Sequence, residues 1–308
     1  MLLGNLKIMG EAMKKYPSDI HPQSLFADMA KDYGFRGLFY VDLYPATESF
    51  LFLLDPALAM QIQDSPHFKR HTYVEGYLRG IVGTKSLFAV HGAEWKRQRS
   101  WFSPAFSLAH LMTLIPGIVQ ETLVFREKLT AHAISGETLI TNDATMQLTI
   151  DVIARSVGNI RLKSQTEHSD IYHHFTKAVY WTAANTAPLW HKILSSTMMD
   201  FHTRKLDKLL GDVIKEKFKN VAEDGVSKSI LDLAMKGYSK DHVKIGNGKT
   251  ISADLDPEFM KMALDKYEIC ARNFVKYTDI ITSAKLFMVG GHDTTASLIT
   301  VSAHGVLK

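Results

Sequence analysis

Cysteine is nearly absent: the 308 residues contain one, Cys270. A lone thiol closes no internal disulfide and builds no Cys-rich metal site. Charge of one sign is also missing. Lys and Arg number 36 against 32 acids, a net charge of +4, and the basic residues are interleaved with acids, so no nucleic-acid stripe is expected. Long apolar runs are short or interrupted. Met1-Leu-Leu-Gly-Asn-Leu-Lys7 is too brief for a signal peptide or an anchor, with Glu11 and Lys14-Lys15 close behind. The stretch 286–301 is broken by His292 and Asp293, so no membrane span is predicted there. What remains is ordinary folded-protein material, with 46% hydrophobic and 22% charged residues, which excludes a disordered chain.

Periodicity predicts a mainly α protein with a small β-sheet near the N-terminus, in one domain over 1–308. Leu25, Phe26, Met29, Ala30 and Tyr33 share a helical face after Pro22. Phe39, Val41 and Leu43 alternate with Tyr40 and Asp42, and Ser49-Phe-Leu-Phe-Leu-Leu54 reads as a second strand. Asp55-Pro56 is a helix cap followed by proline at the first helical position, opening a helix to about Gln63. His71 to Val90 carries glycines and little periodicity and is expected to be loop. Helices are expected at 92–101, 107–134, 143–157, 170–182, 189–222 and 228–237, a polar loop at 238–256, and a last helix to the chain end.

Two patterns carry chemistry. Residues 290–295 read Gly-Gly-His-Asp-Thr-Thr inside an otherwise apolar helical run. Two helical glycines cost roughly 1 kcal/mol each against alanine, which a chain tolerates where something approaches the backbone closely or the helix opens. An acid and two hydroxyls follow at once, so a ligand meets a proton source there. The bland alternative is a polar kink whose hydroxyls bond back one turn. Upstream, Trp95 and Arg99 lie four apart on one helical face. Both are pure donors, suited to a carboxylate; a core tryptophan beside a surface arginine is the alternative. His292-Asp293 also permits an HD-type metal phosphohydrolase, with His173-His174 as further ligands. Cys270 reads as an inert helix residue.

Both motifs, in order and about 195 residues apart, resemble cytochromes P450. Gly-Gly-His-Asp-Thr-Thr is similar to the [AG]-G-x-[DE]-T-[TS] motif of that family's long central helix. Gly92, Trp95, Arg99 and the following Ser103-Pro-Ala-Phe106 resemble its G-x-x-W-x-x-x-R helix with a downstream P-A-F. The resemblance implies haem b as cofactor, Trp95 and Arg99 binding a haem propionate, and Gly290 and Gly291 letting substrate and dioxygen approach the helix. It implies Asp293 and Thr294 as catalytic proton relay, Phe88 and its loop in the substrate pocket, a lipophilic small-molecule substrate, and NADPH-cytochrome P450 reductase as partner. The style resembles fungal microsomal members, for which the full-length protein resides at the endoplasmic reticulum membrane.

The same resemblance sets expectations about what these residues omit. The family's axial cysteine sits in an F-x-x-G-x-R-x-C-x-G loop after the central helix, where its thiolate drives O–O cleavage. Neither that loop, nor the E-x-x-R helix, nor a hydrophobic N-terminal anchor is found in 1–308, and Cys270 precedes the glycine motif. The expectation is a single incomplete P450 domain: a monooxygenase by family, catalytically incomplete as these residues stand, or a non-catalytic truncated helical product. Residues 266–284 separate Leu255–Asp265 from Lys285-Leu-Phe-Met and read as an insertion, back-translating to sequences that resemble intron signals.

Overall fold

The structure is a computed structural model that describes residues 4–17, 22–44, 48–63, 78–183, 189–224, 229–234 and 275–306. It divides into two units, Met1–His71 and Thr72–Lys308. The chain is mainly helical with one small sheet, as the periodicity predicts.

In the first unit, α1 (Leu6–Met13) and α2 (Pro22–Asp32) precede β1 (Leu38–Val41), β2 (Phe50–Leu53) and α3 (Pro56–Gln63). The strands pair antiparallel, Leu38 opposite Leu53 and Val41 opposite Phe50. Alternation sends Phe39 and Val41 inward beside Leu43 and leaves Tyr40 outside. Phe52 stacks on Phe39 at 4.8 Å and meets Phe26 of α2 at 4.3 Å between ring centroids. Asp55 caps α3, its Oδ1 accepting from the Ala57 N–H at 2.8 Å. The helix α1 is an addition to the expected elements. Its start is fixed by Asn5, whose N–H donates to the Asp42 carbonyl at 2.7 Å and whose Oδ1 accepts from the Asp42 N–H at 2.8 Å.

The second unit holds α4 (Gly92–Phe102), a 3-10 turn (Ser103–Phe106), α5 (Leu108–Ser135), α6 (Thr141–Gly158), α7 (Asp170–Ala183), α8 (Leu189–Asp224) and α9 (Val275–Val306). Residues 78–82, expected as loop, are helical. Ile81 and Val82 are fully buried there and pack with Ala178, Leu286 and Val289, so tertiary burial overrides weak local periodicity. Of the helix expected at 228–237, residues 230–234 are helical, and the rest fall outside the described residues with Ser229 as a bend. The expected loop at 238–256 lies outside them too.

Phe175 of α7, Ile150 of α6, Leu206 and Leu210 of α8 and Met288 of α9 form one core with Phe102. Buried Asp151 joins α6 to the turn that follows it, accepting from Ser164 Oγ at 2.7 Å and from the Ser164 and Gln165 N–H groups. Of the stretch read as an insertion, 266–274 lies outside the described residues. Residues 275–284 are the opening turns of α9, with Ile281 and Ala284 in the core.

The helix α5 is a membrane-span candidate that the sequence reading did not single out. By length and composition it is apolar enough to cross a bilayer, and its apolar residues, Leu108 and Ile134 among them, are exposed. Its charged residues, Glu121 at the midpoint and Arg126, Glu127 and Lys128 in the later half, interrupt the pattern. Glu121 pairs with Arg155 of α6 at 2.6 Å, both side chains nearly buried, and Lys128 donates to Gln147 of α6. Ser107 starts α5 by accepting from the His110 N–H, and Gly136 ends it at φ +72, the left-handed conformation that glycine adopts without strain.

Candidate functional site

The helix α9 stays helical through both glycines, so nothing opens. The glycines instead serve two faces. Gly291 faces α6: a Cβ there would stand 2.6 Å from Ile153 Cδ1, a contact real side chains do not make. Gly290 is exposed, and a Cβ would meet nothing within 4 Å. Close helix packing therefore explains the second glycine and leaves the first free for an incoming group.

Helical spacing sorts the motif further. Met288, His292 and Ala296, at i, i+4 and i+8, are buried. Gly290, Asp293 and Thr294, at i, i+3 and i+4, are exposed on another face, which continues into Leu298 and Val301 at 67% and 70% exposure. Thr294 Oγ1 donates to the Gly290 carbonyl at 2.7 Å. The back-bond expected of a plain core threonine is thus present, and it holds the hydroxyl beside the bare glycine.

His292 turns away from this face. Its ring lies edge-on to Phe175 at 5.3 Å and near Tyr172 at 6.3 Å, both on α7. Neither ring nitrogen has a hydrogen-bond partner among the described residues. Burial pushes its pKa down to about 4, partly opposed by Asp293. A buried His292 and an exposed Asp293 do not converge, and among the described residues no ligand group gathers around that dipeptide. The HD-type metal reading has no geometry here.

On α4, Trp95 is half-buried and Arg99 exposed. The guanidinium carbon sits 4.9 Å from the Trp95 ring centroid, a cation–π contact that orients the arginine. Among the described residues Arg99 has no acidic partner. Phe88 is half-buried in the turn region 83–91. That segment starts against α9, where a Cβ on Gly83 would lie 3.1 Å from Thr282 Cγ2, and is pinned to α4 by Gln98 Nε2 donating to the Lys85 carbonyl at 3.1 Å.

Two aromatics that the sequence reading gives no role, Phe102 and Phe287, join the motifs. Phe102 lies one turn beyond Arg99 on the same α4 face, at i+7 from Trp95. Phe287 stands one turn before Gly290 and Gly291, on the face that leads to Thr294. The Phe102 and Phe287 rings meet edge-on at 5.1 Å, and Phe106 joins Phe287 at 5.7 Å. Spacing from each motif points to these aromatics, but nothing local says that they touch.

A family profile described as Cytochrome P450 matches residues 3–302. The chain belongs to the cytochrome P450 family. Among curated relatives, this P450 is 27% identical over 298 residues to cytochrome P450 monooxygenase acrF of Aspergillus aculeatus, covering 96% of this chain and 54% of that protein. It is 23% identical to cytochrome P450 monooxygenase polC of Polytolypa hystricis, covering 100% of this chain and 52% of the relative. The chain thus spans about half the length of the curated relatives it matches. Among solved structures, the cytochrome P450DA heme domain superposes with a TM-score of 0.69 at 18% identity, over 93% of this chain and 56% of that one. That likeness shows the shared fold.

Family membership implies haem. The residues present fit one side of that group: donors at Trp95 and Arg99 that have no acceptor among the described residues, and a helix face at Gly290 where a Cβ would meet nothing within 4 Å. Cys270, the chain's sole thiol, lies outside the described residues.

Proposed function

We propose that these 308 residues are one portion of a P450 domain: the side of a haem-dependent monooxygenase where dioxygen meets a lipophilic small molecule. The observation that carries this reading is the junction of Phe102 with Phe287. It joins the donor face of α4 to the Gly290–Thr294 face of α9. Held by these residues, haem b would supply the redox chemistry by which, with two electrons and two protons, one atom of dioxygen enters the substrate and the other leaves as water.

The chain's own residues do the rest. Among the described residues the Trp95 indole N–H and the Arg99 guanidinium have no acceptor, so they bind and orient a haem propionate. The stacked guanidinium is held in place before the carboxylate arrives, which lowers the ordering cost of binding. Gly290 leaves room for close approach. Asp293 exchanges protons with solvent, and Thr294, held by the Gly290 carbonyl, passes them on at its hydroxyl. Leu298 and Val301 extend the same face as apolar wall, and the Phe88 loop closes the substrate pocket. Electrons come from NADPH-cytochrome P450 reductase, and we place the whole protein at the endoplasmic reticulum membrane.

Reductase-supported turnover of the whole protein tests the relay. Thr294→Ala should divert reducing equivalents to hydrogen peroxide and lower product formation by about 10²-fold, with Thr294→Ser restoring most of it. Unchanged coupling of NADPH to product in Thr294→Ala would remove Thr294 from the relay.

A further inference from the structure

Three histidines unconnected with the glycine motif converge where α7 packs on α8. His173 and His174 are consecutive on α7, and His202 comes from α8. His174 Nδ1 and His202 Nδ1 are 2.9 Å apart. Taking one ring nitrogen from each residue, all three lie within 4.8 Å of one another. The His173 ring stands 5.2 Å from His174 and 5.9 Å from His202, steeply inclined to both. His202 is 6% exposed while His173 and His174 are half-buried, so the cluster has a closed side and an open one.

Consecutive helical residues point about 100° apart, so two adjacent imidazoles rarely share a focus. Here the facing helix brings His202 to both, its ring 5.1 Å from His174 and 5.9 Å from His173. Tetrahedral zinc with Zn–N distances near 2.0–2.1 Å needs its nitrogens about 3.3 Å apart, a spacing that small ring rotations reach from the observed one. An all-imidazole donor set suits zinc and its transition-metal neighbours, whereas magnesium and calcium require oxygen.

We propose that His173, His174 and His202 bind one zinc ion through three imidazole nitrogens, with solvent as fourth ligand, clamping α7 to α8. Lys177 and Lys205 face Tyr180 and Phe201 at 6.0 and 5.9 Å, and Asp170 pairs with His168 at 3.2 Å. Those side chains are engaged around the cluster without blocking it.

The test is equilibrium dialysis of the untagged, chelator-stripped chain against zinc chloride near pH 7.5, with thermal unfolding in parallel. The expected result is one zinc per chain and a raised Tm, with no uptake of magnesium. His202→Asn and, because His202 is buried, the milder His173→Asn should each weaken binding at least about ten-fold, while His292→Asn binds as the wild type does. No zinc uptake, uptake unchanged in His202→Asn and His173→Asn, or loss confined to His292→Asn would overturn the proposal.

Discussion

Lys285 Nζ lies 2.6 Å from Asp207 Oδ1, an ion pair that ties α9 to α8 with the lysine 3% exposed and the aspartate 41%. Burial pushes the lysine pKa down and Asp207 opposes that shift. Removing the partner leaves a buried cation alone. Asp207→Asn should therefore destabilise by about 2–3 kcal/mol, discounted from a fully buried pair because the aspartate is partly wet. Lys285→Met removes the charge itself and should fall within about 1 kcal/mol of wild type. The folded pKa of Lys285 is depressed, so wild-type stability should rise with pH toward the ordinary lysine range, and that rise should vanish in Lys285→Met. Urea unfolding of the two variants decides it; equal losses would mean the pair acts only by packing.

The buried imidazole of His292 gives the acid limb its shape. With a folded pKa of about 4 against about 6.5 unfolded, the unfolded chain binds the proton first. Stability is fully present above pH 6.5, falls as pH drops toward 4, and by then has lost about 3 kcal/mol from this group. His292→Met removes the titration along with two nitrogens that have no partner among the described residues. It should be more stable than wild type by about 1 kcal/mol at pH 7, with a gap that widens to pH 4. Parallel curves for the two proteins would refute the assignment.

The two glycines separate by substitution. Gly291→Ala must displace Ile153, so a loss of about 1–3 kcal/mol is expected, and Ile153→Ala in the same chain should be less costly than in the wild type, since the two changes relieve each other. Gly290→Ala meets open space and gains helix propensity, so it should stabilise by up to about 1 kcal/mol. The same variant should weaken haem uptake if that face receives the cofactor. A chain stabilised by Gly290→Ala with undiminished uptake would detach Gly290 from the site.

Much of this was legible locally. The spacing of Trp95 and Arg99 put them on one face, Asp55 capped its helix, and Phe39, Val41 and Leu43 alternated into the sheet core. The limits were set by range. The glycine pair announced a close approach but not that Ile153 of α6 was the neighbour, nor that Gly290 had none. His173-His174 stood out as a pair, yet the third imidazole lies 28 residues on, in a helix whose packing no local pattern specifies. Residues 78–82 read as loop because a short helix carries little periodicity, and only burial of Ile81 and Val82 fixes it. The apolar reach of α5 was masked by charges clustered in its later half.

Haem uptake tests the central claim most directly. The 308-residue chain is titrated with haem and the Soret absorbance followed, beside Arg99→Ala and Trp95→Phe, with circular dichroism confirming that each remains helical. Saturable uptake by the wild type is expected, weakened at least about ten-fold in Arg99→Ala, the loss of a charge-assisted hydrogen bond worth about 1.5–3 kcal/mol, and less in Trp95→Phe. A folded chain that takes up no haem, or variants that match the wild type, would contradict it.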